Sequence, residues 1–240
     1  MNPFLSIRDR LLVLALCSSF IPITVISVVY YITASCTLRH QVFEQLKAVA
    51  ESKRLHVRTF MEIKKVRTVD FSSDGFIRNS LETIIRGNTV RQNCTVQLNK
   101  YLSKKKLPLD SHLMAIAIVE RDGKIVSSTN EKLIGKDMSD QEVFLHSKRM
   151  DYGTTYVKPR YASYLPTNCI LSSAPIISQY SDELLGILIN AYCITGLNEI
   201  TTNRVGLGET GEVYLVNRDK VLITESRFIG RASLHLVVDT

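Results

Sequence analysis

The sequence predicts an α+β protein: an N-terminal transmembrane helix, a long stalk helix continuing from it, and a soluble part built on a five-stranded antiparallel sheet. Three observations predict it. The 28 residues 11–38, between Arg10 and Arg39, carry no charge. No Gly or Pro interrupts the chain from Leu38 to Asp74. Short apolar runs punctuated by turn residues then follow from Leu113 to Tyr192.

The composition is 45% apolar and 22% charged, which excludes a disordered or collagen-like chain. Within residues 11–38, the 22 residues 11–32 are continuous and predominantly apolar. As a helix they span roughly 33 Å, enough for a hydrocarbon core of about 30 Å. Tyr30 and Tyr31 stand where aromatic rings anchor at an interface, and Pro22 is tolerated in a lipid-embedded helix. The competing reading is a cleaved signal peptide, with Ala34-Ser35-Cys36 as the processing site. Its apolar region normally runs to only about 7–15 residues, which favours an uncleaved anchor. Arg39, Lys47, Lys53 and Arg54 follow the segment and Arg8 and Arg10 precede it, so the count of basic residues does not favour export of the C-terminal part. That rule weakens for long translocated domains.

From Arg39 to about Arg86 the pattern is helical. Leu46, Ala50, Val57, Phe60 and Met61 form an apolar stripe, with Glu44, Lys47, Glu51, Lys53, Arg54, Glu62, Lys64 and Lys65 on other faces. Such a stripe serves either as a dimer seam or as a sheet-packing face; Lys53 and His56 near the seam make the heptad imperfect. Asp74-Gly75 breaks the helix. Phe76, Ile77, Leu81, Ile84 and Ile85 suit a second one ending at Gly87-Asn88, and a third covers residues 96–102.

Residues 113–119 then read as a strand, Arg121-Asp122-Gly123 as a turn and residues 124–127 as the hairpin partner. A short helix is expected at 140–147, strands at 155–160, 168–177 and 184–192, and a helix at 194–204. This order suits a PAS-like domain. After Gly206-Leu207-Gly208 a second hairpin pattern begins at 212–217 and 221–224, a weak internal repeat. Two strands cannot bury a face unaided, so either these last residues lean on the first unit or a second domain is cut short, the latter being preferred.

The order of these pieces resembles the double Cache (dCache) sensor domains of bacterial transmembrane receptors. The matching residues are the anchor, the long helix, Asp70-Phe71-Ser72-Ser73-Asp74-Gly75-Phe76-Ile77, the hairpin from Asp122 to Thr129, and Ile134-Gly135-Lys136-Asp137. Ser173-Ala174-Pro175-Ile176, Leu185-Gly186-Ile187-Leu188 and residues 206–217 with 223–228 continue the likeness. It implies a cytoplasmic N-terminus at 1–10, a transmembrane helix at 11–33, and stalk and packing helices at 34–110. A membrane-distal PAS-like subdomain at 111–205 and an incomplete membrane-proximal one at 206–240 follow. It also implies a sensor outside the bacterial cytoplasmic membrane that holds a small ligand. Relatives continue through a second membrane helix to a histidine kinase, diguanylate cyclase or methyl-accepting output domain. None of these is in the sequence, which resembles the sensing half alone.

The pocket is expected on the sheet face covered by residues 140–165, where Tyr152, Tyr156, Arg160, Tyr161 and Tyr164 concentrate. Arg offers a planar fork for a carboxylate, and Tyr offers a stacking face and a hydroxyl, chemistry for small acids or amines. The structural alternative is a set of loop aromatics beside a surface Arg. Ser172 and Asn190 are further polar contacts. The chain departs from the amino-acid-binding subgroup in lacking its Arg-x-Trp-Tyr element, having no Trp, and in carrying Asn190 where many relatives place an Asp.

Cys17, Cys36, Cys94, Cys169 and Cys193 have no metal-binding spacing, and no cofactor motif is present. A turn centred on Ser181 sets Cys169 and Cys193 opposite each other, within disulfide range; two small buried hydrophobes in a slipped register are the preferred alternative. The net charge of +7 is dispersed, its densest run being Lys104-Lys105-Lys106, so nucleic acid is not an expected partner. Gly206-x-Gly208-x-x-Gly211 precedes a strand instead of opening a helix, and no nucleophile motif is present, so no enzyme is expected. Two readings remain: a ligand-sensing module, dimerising through the stalk helix, and a membrane-anchored structural or interaction protein with no ligand.

Overall fold

The computed structural model describes residues 7–87, 91–160, 169–217, 220–229 and 236–237. The chain forms two compact units, Met1–Glu51 and Ser52–Thr240. Helix α1, Ile7–Ser72, supplies the whole described part of the first and the opening of the second.

In the first unit the apolar side chains from Leu11 to Ile32 are exposed all round the helix. A helix apolar on every side has no soluble face to present, and this one is long and apolar enough to cross a membrane. Its hydroxyls turn inward to the backbone: Ser19 Oγ donates to Ala15 O at 2.9 Å and Thr24 Oγ1 to Phe20 O at 2.8 Å. Both are thus satisfied without water.

The second unit is a five-stranded antiparallel sheet with strand order β2-β1-β5-β4-β3. The strands are β1 Leu113–Glu120, β2 Ile125–Ser128, β3 Tyr156–Arg160, β4 Cys169–Ile177 and β5 Leu184–Cys193. All five fall within two residues of their sequence-based positions. Asp182, at φ 50°, makes the β4–β5 turn in the left-handed region that a short polar side chain tolerates. Gly186 is required where β5 crosses β1, because a Cβ there would lie 2.3 Å from Val119 O.

Helices cover both faces. α2, Gly75–Arg86, presents Ile77, Leu81 and Ile84 to the core, and α3 is Arg91–Tyr101. Asp74 starts α2: Oδ1 accepts from the Phe76 and Ile77 amides, while Oδ2 accepts from Tyr101 Oη at 3.0 Å and Lys106 Nζ at 2.7 Å. One carboxylate therefore caps a helix and ties down the π-helical turn Leu102–Lys106 that follows α3. Burial pushes the Asp74 carboxyl up, but the Lys106 and amide hydrogen bonds prevail and hold it below its ordinary value. On one face Phe71, Ile77, Leu81, Ile116, Ile118, Ile170, Leu188 and Tyr192 form the larger core, joined by Val57, Phe60 and Met61 of α1. On the other, α4, Glu142–Ser147, inserts Val143 and Phe144 against Ala115, Ala117, Leu171 and Ile189. α5, Thr195–Thr202, follows β5.

One expectation is corrected, the placement of Lys53 and Lys64. Val57, Phe60 and Met61 pack on the sheet core, and Lys53 and Lys64, expected on other faces of α1, are buried with them. Lys53 Nζ donates to Ile200 O at 2.9 Å, and Lys64 meets Asp110. The segment after α5 forms isolated bridges in place of a full hairpin, such as Val216 with Leu222, and packs Leu215 and Ile223 against the larger core. Its described residues thus lean on the first core.

Candidate functional site

Strand alternation decides which side chains share a face. β3 pairs Tyr156 with Ser173, Lys158 with Leu171 and Arg160 with Cys169, and β4 pairs Cys169 with Cys193, Leu171 with Ala191 and Ser173 with Ile189. Leu171, Cys169, Ala191 and Ile189 belong to the core beneath α4. Tyr156 and Arg160 therefore hold register positions of the α4 face, with Ala115, Ala117 and Ala191 as a floor of small residues.

Tyr156 joins β3 to α4. Its hydroxyl donates to Glu142 Oε1 at 2.6 Å, and its ring stacks on His146, with centroids 4.6 Å apart and planes 1° from parallel. Desolvation, reinforced by the Glu142 carboxylate, pushes the phenol up to about 12. At neutral pH it is a fixed donor. Behind it, Ser147 Oγ and Ser173 Oγ share a hydrogen bond of 2.6 Å, and both residues are buried. Tyr156 and Glu142 offer an aromatic ring, a hydroxyl and a carboxylate at the rim of the core that Val143 and Phe144 fill, chemistry for orienting a small polar molecule.

Tyr152 goes elsewhere. It is 54% exposed, with the Arg78 guanidinium of α2 stacked 4.9 Å from its ring centroid. Tyr161 and Tyr164 lie outside the described residues. Ser172 and Asn190 are cross-strand partners, fully buried on the opposite face, toward α1. They do not share a face with Tyr156.

That opposite face holds a polar network the sequence reading missed. Asn190 Nδ2 donates to Thr68 Oγ1 and to Tyr192 Oη, each at 3.1 Å. Lys64 Nζ meets both oxygens of Asp110, at 2.8 and 2.7 Å, and lies 5.2 Å from the centre of the Tyr192 ring. The His112 amide donates to Asp110 Oδ1 at 3.0 Å. Burial alone would raise the Asp110 carboxyl, but Lys64, the His112 amide and Arg67 together lower it. Burial raises the Tyr192 hydroxyl. Among the described residues, Ser172 Oγ and Asn190 Oδ1 have no hydrogen-bond partner. The missed signal is a spacing: Lys64 and Thr68 continue the 57, 60, 61 stripe at helical intervals, which places them toward the sheet. Among the described residues no group of three His, Cys, Asp or Glu side chains is placed to hold a metal.

The fold is similar to that of solved sensor domains. The sensor domain of the Vibrio cholerae histidine kinase DctB matches with a TM-score of 0.56 at 12% identity, over 74% of this chain and 64% of that one. The ligand-binding domain of the Pseudomonas fluorescens chemoreceptor CtaA, in complex with L-isoleucine, matches at 0.56 and 12%, over 83% and 74%. That of the Campylobacter jejuni chemoreceptor Tlp3, in complex with 4-methylisoleucine, matches at 0.55 and 13%, over 76% and 70%. No family model and no curated protein sequence matches the chain. The double Cache resemblance read from the sequence therefore holds at the level of fold.

Proposed function

We propose that the chain is the extracytoplasmic ligand-sensing module of a membrane-bound signal-transduction receptor. The observation that carries this reading is the fold shared with the DctB, CtaA and Tlp3 sensor domains, attached to a helix apolar enough to cross a membrane. Residues 11–33 anchor it in a bacterial cytoplasmic membrane. The ligand is a small acid or amine held on the α4 face by Tyr156, with Arg160 and the neighbouring Tyr161 and Tyr164 completing the site. The module itself catalyses nothing, and the output reaction belongs to another domain. A ligand shifts such a receptor only through unequal affinity for two arrangements of it.

A second copy of the chain is the proposed protein partner. Leu55, Ile63 and Val66 lie on the side of α1 turned away from the core and are 48, 50 and 59% exposed. They share that open face of α1 with Arg58, Thr59, Glu62, Arg67 and Asp70. A thermal-shift screen of the full chain in detergent, against small carboxylic acids, amines, amino acids and purines, tests the sensing reading. Binding stabilises by RT ln(1 + [L]/Kd), so a ligand raises the melting temperature with dose. A folded chain that responds to none of these classes, yet still self-associates, supports the membrane-anchored scaffold instead.

A further inference from the structure

Cys169 opens β4 and Cys193 closes β5, and the two are direct Cα partners in the antiparallel ladder. The Cys193 amide donates to His112 O at 2.7 Å, on the β1 side. In a central antiparallel strand the N–H and C=O of one residue point to the same neighbour. Toward β4, Cys193 therefore sits at a non-hydrogen-bonded position. Opposed Cα atoms at such positions are about 4.5 Å apart and their side chains approach most closely. That separation lies at the short end of the disulfide range, about 4.4–6.8 Å. Both side chains are thiols in the structure. Cys169 is fully buried in the core beneath α4, and Cys193 is partly exposed.

We infer that Cys169 and Cys193 are a redox modification site, closing to a reversible cross-strand disulfide beside the candidate ligand face. The partly exposed thiol reacts first. The Cys193 thiolate attacks one sulfur of a small disulfide such as oxidised glutathione, forming a mixed disulfide and expelling one glutathione thiolate. The Cys169 thiolate then attacks the Cys193 sulfur and expels the second. The protein loses two protons and two electrons, and the oxidant is reduced to two thiols. The bond ties the start of β4, which follows residues 161–168, to the end of β5, which leads into α5. The bond is opened again by thiol–disulfide exchange with a reduced small thiol. This inference is independent of the sensing reading.

The test equilibrates the full chain in detergent with glutathione buffers of increasing oxidised fraction, quenches with acid, alkylates, and maps the peptides by mass spectrometry. The expected result is a peptide joining Cys169 to Cys193, lighter by two hydrogens, that grows with the oxidised fraction and disappears with reductant. C169S should instead stop at glutathione bound to Cys193, while in C193S Cys169 stays unmodified; unchanged far-ultraviolet circular dichroism shows that each variant is folded. Separate alkylation of Cys169 and Cys193 in every buffer, or bridging of either to Cys17, Cys36 or Cys94, overturns the inference.

Discussion

Lys64 and Asp110 are 4 and 9% exposed, and the energetics of the face toward α1 turn on them. Removing one member of a buried pair strands the other, which costs about 3–5 kcal/mol, whereas replacing both with apolar groups is often neutral. Lys64→Met alone should therefore lower the urea unfolding free energy by about 3–5 kcal/mol. The double variant Lys64→Met/Asp110→Leu should recover most of that loss. The Asp110 carboxyl is lowered in the folded chain, so it binds its proton more readily when unfolded. Its contribution is present above the ordinary carboxylate value of about 3.9 and is lost as pH falls through the lower folded value. An acid titration followed by circular dichroism should show a flatter decline for Asp110→Asn. The sequence hid these residues because a Lys within an otherwise charged helix reads as solvated; only its interval from Phe60 and Met61 betrays it.

Elements were legible where one face is buried and the other is not. Ile77, Leu81 and Ile84 recur at helical spacing after the break at Asp74-Gly75, so α2 could be read directly, while the capping role of Asp74 emerged only from its hydrogen bonds. Asp74 has four hydrogen-bonding partners, which makes it the most exposed point of failure in this part of the fold. Asp74→Ala should cost at least the about 1–2 kcal/mol of a lost cap, seen as a lower melting temperature. Asp74→Asn, which keeps the cap, should cost less. β4 and β5 were placed correctly, but which face each residue takes was not legible. Both strands are buried on both sides, so apolar residues occupy successive positions and the alternation that marks a core face is absent. Parity alone separates Ser172 and Asn190 from Tyr156. Gly186→Ala should destabilise by about 1–3 kcal/mol, because the added methyl meets Val119 O.

For the whole molecule, length and hydropathy indicated a helix that could cross a membrane, and the order of helices and strands gave the sensor-domain fold. The proposed self-association surface was less legible: Val57, Phe60 and Met61 of the apolar stripe pack on the sheet core, while Leu46, Leu55, Ile63 and Val66 are exposed. Burying one aliphatic side chain contributes about 1.5–3 kcal/mol, so Ile63→Glu/Val66→Glu should weaken self-association at least about tenfold. Light scattering of the full chain in detergent measures this, and an unchanged dimer fraction would remove α1 as the interface.

Hydrogen exchange of the full chain, with and without whichever screened compound most raises its melting temperature, tests the ligand site most directly. The account predicts added protection in α4 and β3, around Glu142 and Tyr156, with the amides near Lys64 and Asp110 unaffected. Protection confined to the α1 side of the sheet, or a folded chain that no screened compound stabilises, would contradict it.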